Sequence, residues 1–191
     1  MQRGILGGTF DPPHLAHLVA GEAAYRALGL DVVTFLPAGA PWQKAKSRVS
    51  DPEHRWQMTV LATEGVDYFQ PDDRELRREG WTFTIDTLAT FSPAEELILI
   101  MGADSAAGLP TWHRWEDLLR RTRLAVIPRL GISRQEVERE VPRPLAWVDM
   151  PALPLSGTML RERVGAGESI RFLVPDSVWR YIRAQGLYDV A

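Results

Sequence analysis

Two histidines and a pair of glycines near the N-terminus have the residue types and spacing of an anion-binding site. The chain runs Gly7-Gly8-Thr9-Phe10, and His14 and His17 follow three residues apart. A glycine pair lets the backbone approach a ligand closely, and the first N–H groups of a helix have no partner inside the helix. Two histidines three apart share one helix face near its positive end. The combination predicts a site for a polyphosphate.

Two other interpretations of this segment remain open from the residues alone. The glycines could form an ordinary tight turn beside structural histidines. The pair His14 and His17 could also be part of a metal site, which would need a third and a fourth ligand. Only Asp11 is close in sequence, and the chain has no cysteine. The glycine spacing fits neither a P-loop nor the dinucleotide-binding fingerprint.

A second segment, Ser156-Gly157-Thr158-Met159-Leu160-Arg161, has the composition of a helix start that binds phosphate. Ser156 or Thr158 can cap the helix and offer a hydroxyl. Arg161 lies one turn in, on the same side as Thr158, so a guanidinium joins these donors. The alternative is a plain helix cap with a surface arginine.

Strands and helices alternate along the chain and must position these groups. The first strand is expected to break at Gly7-Gly8, the first helix to carry His14 and His17, and the second helix to begin with a Ser50 cap and Glu53 three residues later. Apolar runs predict strands at 4–6, 31–36, 66–69, 96–101, 123–127 and 146–148. Periodic patterns predict helices at 15–28, 50–64, 84–91, 114–121, 133–139, 156–164 and 176–185, with a short one after 104.

This alternation predicts a doubly wound, Rossmann-like α/β fold, with an open parallel sheet of five to six strands and helices on both faces. No linker or repeat divides residues 1–191, so we expect a single domain. Its C-terminal helical portion, from about 151 to 191, is expected to close over the nucleotide site. Ligands bind such sheets at the carboxyl ends of the strands, where 7–17, 37–44 and 102–104 should converge.

Composition narrows the class of protein further. The 22 basic and 25 acidic residues give a net charge of −3, which does not favour nucleic acid or anionic membranes as partners. The N-terminus lacks the pattern of a signal peptide, and no apolar run approaches the length of a membrane span. We expect a cytoplasmic protein whose partners are small molecules, and whose state as a monomer or homodimer is open.

With both motifs in view, the chain resembles the bacterial nicotinate-nucleotide adenylyltransferases, which carry a His-x-x-His signature. GGTFDPPH is similar to the opening motif of that family, and SGTMLRERV to its closing Ser-x-Thr-x-x-Arg motif. Segments 81–88, 102–104 and 109–112 resemble its middle motifs, and LVPDSVWRYIRAQGLY its C-terminal helix. The resemblance covers nearly the whole chain.

The resemblance implies transfer of the adenylyl group of ATP to nicotinate mononucleotide, with release of pyrophosphate, in NAD biosynthesis. It implies Mg²⁺ held by the substrate phosphates, with no metal ligand from the protein. His14, His17 and Arg161 would be the catalytic residues, with His17 the main transition-state stabiliser. Thr84 and Trp112 would bind the pyridine nucleotide, with Trp112 stacked on its ring. The ATP-binding positions would be Gly8, Thr9, Phe10, Lys44, Ser156, Thr158, Gly102 and Asp104, the last accepting from a ribose hydroxyl.

Three positions depart from the family pattern. Ala16 stands where the signature usually has glycine between the histidines, Gln43 stands where relatives often have histidine, and Gly157 replaces a common serine. The alternatives are an adenylyltransferase that acts on nicotinamide mononucleotide or phosphopantetheine, or a non-catalytic nucleotide-binding regulator. A regulator that had lost turnover would be expected to lack His17 or Arg161, and both are present.

Overall fold

The sheet has six parallel strands in the order β3-β2-β1-β4-β5-β6. A computed structural model describes residues 1–40 and 49–189, so the predicted residue Lys44 and the departure at Gln43 lie outside the described residues. The strand order reverses between β1 and β4. The strands are β1 (Gln2–Gly8), β2 (Val32–Pro37), β3 (Phe69–Pro71), β4 (Glu96–Gly102), β5 (Arg123–Ile127) and β6 (Ala146–Trp147).

Helices cover both faces of the sheet, which confirms the predicted doubly wound α/β class. Within the described ranges they are α1 (Leu15–Leu28), α2 (Pro52–Thr63), α3 (Thr84–Leu88), α4 (Ala103–Ala107), α5 (Trp115–Arg121), α6 (Arg134–Glu140), α7 (Gly157–Gly165) and α8 (Asp176–Gln185). A 3₁₀ turn, Leu109–Thr111, connects α4 to α5. In residues 1–40 and 49–189, each helix is too short or too polar to cross a membrane.

The core has three parts, two of which lie on opposite faces of the sheet because strand side chains alternate between those faces. Leu97, Leu99 and Met101 of β4 pack on the face covered by α3, α4, α5 and α6, while Ile98 and Ile100 pack toward α1. A third apolar cluster joins α2 to α7 and α8. The C-terminal helices are therefore attached through α2, which lies next to the strand ends that form the site.

Some predicted boundaries were wrong for local reasons. The first strand does not break at Gly7-Gly8, because both glycines stay paired with β2 in parallel register. The third strand begins later than predicted, since a turn closed by the Phe69 N–H on the Val66 carbonyl occupies its expected start. The helix predicted at 84–91 ends at Leu88, after which residues 89–91 continue in tight turns.

Two helix starts also differ from the prediction. Asp51, rather than Ser50, caps α2 by accepting the Glu53 N–H at 3.0 Å. Ser50 instead donates its N–H to the Asp11 carboxylate. His14 is the N-cap residue of α1 rather than part of the helix.

Candidate active site

A cavity lies at the carboxyl ends of β1 and β4, where the strand order reverses. Its volume is about 530 Å³. Open α/β sheets bind their ligands at this edge. The residues predicted for the site that line the cavity are Gly8, Thr9, His14, His17, Thr84, Gly102, Asp104 and Trp112. The structure thus brings the N-terminal motif and the predicted pyridine pocket together in one space, with Ala16 also on the wall.

The turn after β1 is supported from beneath by Phe10. Its backbone has a φ of 48°, and the residue is 1% exposed. The ring meets His17 edge-on, with centroids 5.0 Å apart, and also contacts Phe35 of β2. Because the side chain fills the core, any contact between Phe10 and a ligand must come from its backbone.

The two histidines fix each other at the start of α1. Their rings stack with 3.7 Å between centroids, and the His14 backbone N–H donates to Nδ1 of His17 at 3.2 Å. A neutral imidazole that accepts at Nδ1 carries its proton on Nε2. His17, which lines the cavity, therefore has Nε2 as its hydrogen-bond donor.

His14 is buried and uncharged at neutral pH. Burial, and secondarily the positive charge of Arg129, lower the pKa of His14 from 6.5 to about 4. Its Nδ1 is buried and has no hydrogen-bond partner in the described part of the chain. Because Nδ1 is buried, a phosphate oxygen in the cavity would meet the other ring nitrogen, Nε2, of the neutral His14 ring.

Acid is expected to destabilise the folded protein through His14. Its pKa is about 4 when folded and about 6.5 when unfolded, so the unfolded chain binds the proton first as the pH falls. The stabilisation is complete above the unfolded pKa and is lost as the pH falls to the folded pKa, an effect of about 3 kcal/mol. Urea unfolding across this range should show a smaller loss for His14→Asn than for the wild type.

An NMR titration of the His14 imidazole checks the same assignment directly. Its midpoint should lie well below that of an exposed histidine, and Arg129→Met should raise the midpoint because a nearby positive charge is removed. A wild-type midpoint at the ordinary histidine value would contradict the assignment.

The closing motif starts α7 and contacts the N-terminal turn. Ser156 is the N-cap residue, and its hydroxyl accepts the Met159 N–H at 3.2 Å. Arg161 donates from Nη1 to the Asp11 carbonyl at 2.7 Å and from Nη2 to the Thr158 hydroxyl at 3.3 Å. The residues described as lining the cavity do not include Ser156, Thr158 or Arg161. The motif therefore lies beside the turn that carries the histidines rather than on the cavity wall.

Gly157 allows this close approach of α7 to the turn. A Cβ at this position would lie 2.8 Å from the Asp11 carbonyl oxygen and 3.2 Å from Nη1 of Arg161. A serine here would require the helix or the turn to shift, since close-packed groups do not tolerate such contacts. Glycine at position 157, where relatives often have serine, thus leaves room for the hydrogen bond from Arg161 to the Asp11 carbonyl.

The predicted pyridine pocket forms where α3 begins and where the 3₁₀ turn ends. Thr84 is the first residue of α3, and Trp112 follows the turn Leu109–Thr111. Their neighbours Phe83 and His113 also line the cavity, with ring centroids 4.3 Å apart. Neither of these rings was predicted from the sequence. Together with Trp112 they give this end of the cavity an aromatic wall.

If Trp112 stacks on a pyridine ring, as the family resemblance implies, Trp112→Ala should raise the KM for the pyridine nucleotide about tenfold, because stacking of a ring on an aromatic side chain contributes about 1–3 kcal/mol. The KM for ATP should change little. Steady-state kinetics with each substrate varied in turn measures the difference. Trp147→Ala is a matched control, since Trp147 is half-buried and bonded to Glu138, and is not among the lining residues. An effect confined to ATP would contradict the stacking role.

Asp104 and Arg129 form a charged part of the cavity wall. Asp104 lies in the first turn of α4, after β4, and its Oδ1 is 3.6 Å from Nε of Arg129. The loops after β5 and β6 add an apolar surface that includes Leu130 and Met150. A carboxylate beside an apolar surface suits a ribose and a flat base.

Two charged residues that line the cavity, Arg129 and Glu75, were not predicted from the sequence. Arg129 had a signal, since it follows β5 at the carboxyl end of a parallel strand. Glu75 had none, because its segment is rich in charged residues and is typical of a solvated surface. Glu75 is nevertheless only 6% exposed.

The strand order and the cavity at the reversal between β1 and β4 define a doubly wound α/β protein whose ligand site lies at the carboxyl ends of its strands. The model of the "Cytidylyltransferase-like" family matches residues 5–163. A "Probable nicotinate-nucleotide adenylyltransferase" of Oceanobacillus iheyensis is 41% identical, over 97% of this chain and 95% of the relative. A protein of the same description from Thermoanaerobacter sp. is 38% identical, over 98% of this chain and 94% of the relative. The chain belongs to the cytidylyltransferase-like family and, within it, to the nicotinate-nucleotide adenylyltransferases.

Solved structures agree with the fold. The nicotinic acid mononucleotide adenylyltransferase of Plasmodium falciparum, complexed with NaAD, superposes with a TM-score of 0.80 at 18% identity, over 98% of this chain and 97% of that one. The same enzyme complexed with APC gives a TM-score of 0.79 at 17% identity, with coverage of 98% and 96%. At these identities the likeness shows the architecture.

Proposed function

We propose that this chain transfers the adenylyl group of ATP to nicotinate mononucleotide and releases nicotinate adenine dinucleotide and pyrophosphate. One observation carries the proposal. A single cavity at the strand reversal joins the histidine-bearing turn to the aromatic pocket of Thr84 and Trp112. Two nucleotides can therefore meet with their phosphates at the turn. Relatives 36–41% identical, described as nicotinate-nucleotide adenylyltransferases, support this choice of acceptor.

The chemistry requires alignment more than proton transfer. The acceptor phosphate is mostly ionised near pH 7, since its second pKa is about 6. One of its oxygens attacks the α-phosphorus of ATP, a P–O bond forms, and the bond to the bridging oxygen breaks, so that pyrophosphate leaves with the electron pair. The protein has to hold the two anions in line and stabilise charge that develops on the α-phosphate and the leaving group.

The proposed role of each site residue follows from where it lies. The Nε2–H of His17 and the neutral ring of His14 donate to phosphate oxygens, and neither donor brings a positive charge into the site. Arg161 supplies positive charge beside the turn, and Lys44 is proposed to add to it. Asp104 accepts from a ribose hydroxyl, and Trp112 orients the pyridine ring.

We propose Mg²⁺ as the metal of the reaction, held by the substrate phosphates. In the described ranges, no group of three or more histidine, aspartate or glutamate side chains could hold a metal ion. Mg²⁺ usually binds substrate phosphates and keeps several waters, so the proposed ion needs few ligands from a protein. When bound, the ion would neutralise charge on the pyrophosphate that leaves.

We further propose that the C-terminal portion, from about 151 to 191, closes the nucleotide site within a single domain. Three contacts support this. Besides the bond from Arg161, the Leu173 carbonyl accepts the Leu15 N–H at 3.1 Å, and the Tyr188 hydroxyl donates to the Asp11 carboxylate at 2.7 Å. The Leu15 amide at the start of α1 is therefore already bonded to protein. We place the enzyme in the cytoplasm, as a monomer or homodimer.

The proposal is tested by measuring pyrophosphate release with ATP and Mg²⁺. Nicotinate mononucleotide, nicotinamide mononucleotide and phosphopantetheine are compared as acceptors, and nicotinate mononucleotide should react fastest. Absence of pyrophosphate release with all three acceptors would contradict the proposal that this chain is an adenylyltransferase. Faster release with the amide would overturn the acceptor while leaving adenylyl transfer in place.

A further inference from the structure

Arg55, in the first turns of α2, is buried yet bonds mainly to backbone. It is 1% exposed. Its guanidinium donates to four carbonyl oxygens: Ser50 from Nε at 3.1 Å, Thr9 and Ala38 from Nη1 at 3.1 and 2.5 Å, and Gly39 from Nη2 at 3.2 Å. Burial lowers the pKa of Arg55, and the charge of Asp11 opposes this. Burial of a charge is costly unless its hydrogen bonds are satisfied, and these four carbonyls provide that satisfaction.

The four carbonyls belong to three separate segments around the site. Thr9 follows β1 at the histidine-bearing turn, Ala38 and Gly39 follow β2, and Ser50 precedes α2. Thr9 and Ala38 both line the cavity. A planar guanidinium with donors in fixed directions is suited to hold such segments at one distance from each other. Arg55 therefore joins the end of β1 to the end of β2.

Glu75 contacts the same loop from the side of the pyridine pocket. It is buried, lines the cavity, and accepts the Thr87 hydroxyl at 2.7 Å. Burial raises the pKa of Glu75, while the Thr87 hydroxyl and the Gly39 N–H lower it. A Cβ at Gly39 would lie 2.2 Å from the Glu75 carbonyl oxygen, so these two backbones are pressed together. Thr87 lies on α3, whose first residue is Thr84.

We propose that Arg55 and Glu75 are positioning residues that hold residues 38–40 between the two nucleotide sites. Gly39 lies between the two residues, because its carbonyl accepts Nη2 of Arg55 at 3.2 Å and its backbone packs directly against the backbone carbonyl of Glu75. One continuous set of contacts thus runs from Thr9 at the turn that carries the histidines, through Arg55, Gly39 and Glu75, to Thr87 on α3. The inference rests on the proposed function, because its consequence is the alignment of the acceptor phosphate with the α-phosphorus of ATP.

This role differs from a purely structural one in its kinetic signature. A residue that only stabilises the fold lowers the melting temperature but leaves the folded enzyme with normal constants. Loss of alignment lowers kcat instead, since small displacements of reacting groups cost up to about a hundredfold in rate. Displacement of α3 adds a rise in the KM for the pyridine nucleotide but not for ATP.

The test compares Arg55→Lys and Glu75→Gln with Thr63→Val. Lysine keeps the charge of Arg55 and loses the planar fork, and glutamine keeps the shape of Glu75 and loses the charge. Thr63→Val is the matched control, because its buried hydroxyl bonds within α2 and touches neither loop. Arg55→Lys should lower kcat about tenfold or more with KM values within threefold. Glu75→Gln should also raise the KM for the pyridine nucleotide, and the control should keep both constants within twofold.

The double variant Arg55→Lys with Glu75→Gln separates this inference from its alternatives. If both residues act through residues 38–40, their combined loss in kcat is smaller than the product of the single losses. Hydrogen exchange at the Ala38 amide, which donates to the Gly8 carbonyl, should accelerate in each single variant and not in the control. This readout does not depend on turnover or on the double variant.

Unchanged kinetics and exchange in folded Arg55→Lys and Glu75→Gln would overturn the inference, as would equal losses in Thr63→Val. The proposed function fails separately, when the wild type itself releases no pyrophosphate from any of the three acceptors. Normal turnover by the wild type together with normal turnover by both variants contradicts the positioning role alone.

Discussion

His17→Ala is expected to lower kcat by about two to three orders of magnitude while the KM for ATP changes far less. Loss of one donor that stabilises transition-state charge typically costs this much. The structure favours such a role because the His17 ring is held on three sides, by the stacked ring of His14, by the edge contact with Phe10, and by the His14 N–H at Nδ1. A donor fixed in advance does not have to reorganise when charge develops on the α-phosphate.

Steady-state kinetics of pyrophosphate release measures the effect, and His54→Ala provides the control. His54 is also a histidine in a hydrogen bond, with its Nδ1 2.9 Å from the Tyr181 hydroxyl, but it lies on α2 and is not among the residues that line the cavity. Its removal should leave kcat unchanged. An unchanged kcat in His17→Ala would remove His17 from the proposed role. A rise in KM alone would show that His17 binds ATP equally in the ground state and the transition state.

The parts of the fold that could be predicted are those determined by local pattern. The apolar run of β4 and the alternation of strands and helices require a covered parallel sheet, and the sheet in turn places the ends of β1 and β4 together. The convergence of Gly8, His17 and Gly102 follows from that topology. Motif and topology therefore sufficed to bring two segments nearly a hundred residues apart into one predicted site.

The parts that could not be predicted depend on tertiary contacts of residues that look ordinary in sequence. Arg55 and Glu75 lie in charged stretches of a kind that usually faces solvent, and their burial follows from partners on other loops. Ser50 has the sequence of a helix cap, but its N–H is taken by Asp11, and Asp51 caps the helix instead. In each case a long-range bond outweighed the local preference.

Asp11, which is buried beside the site, illustrates the same limit. Its sequence position suggests only a turn residue or an incomplete metal ligand. In the structure its carboxylate is buried and accepts the Ser50 N–H and the Tyr188 hydroxyl, while its carbonyl accepts Arg161. Asp11 thus connects the N-terminal turn to α2, to α7 and to the C-terminal segment. The two segments predicted from the sequence to bind phosphate, at 7–17 and 156–161, are therefore joined to each other through Asp11.

Arg161→Lys should lower kcat/KM for ATP about a hundredfold because lysine cannot make both bonds that orient the guanidinium. Nη1 is bonded to the Asp11 carbonyl and Nη2 to the Thr158 hydroxyl, so the planar fork is fixed before substrate binds. A lysine ammonium keeps the charge but not this geometry. Hydrogen bonds to charged groups contribute about 1.5–3 kcal/mol each, which corresponds to roughly tenfold to more than a hundredfold in rate.

Arg163→Lys on the same helix is the matched control for this experiment. Arg163 is paired with Glu168 at 2.7 Å and is not bonded to the N-terminal turn within the described residues. Its replacement should leave the ATP kinetics unchanged. Equal losses in the two variants would assign the effect to α7 as a whole. A loss confined to Arg161→Lys and seen with ATP, but not in the KM for the pyridine nucleotide, is the result expected if α7 acts on the adenylyl donor through its contact with Asp11.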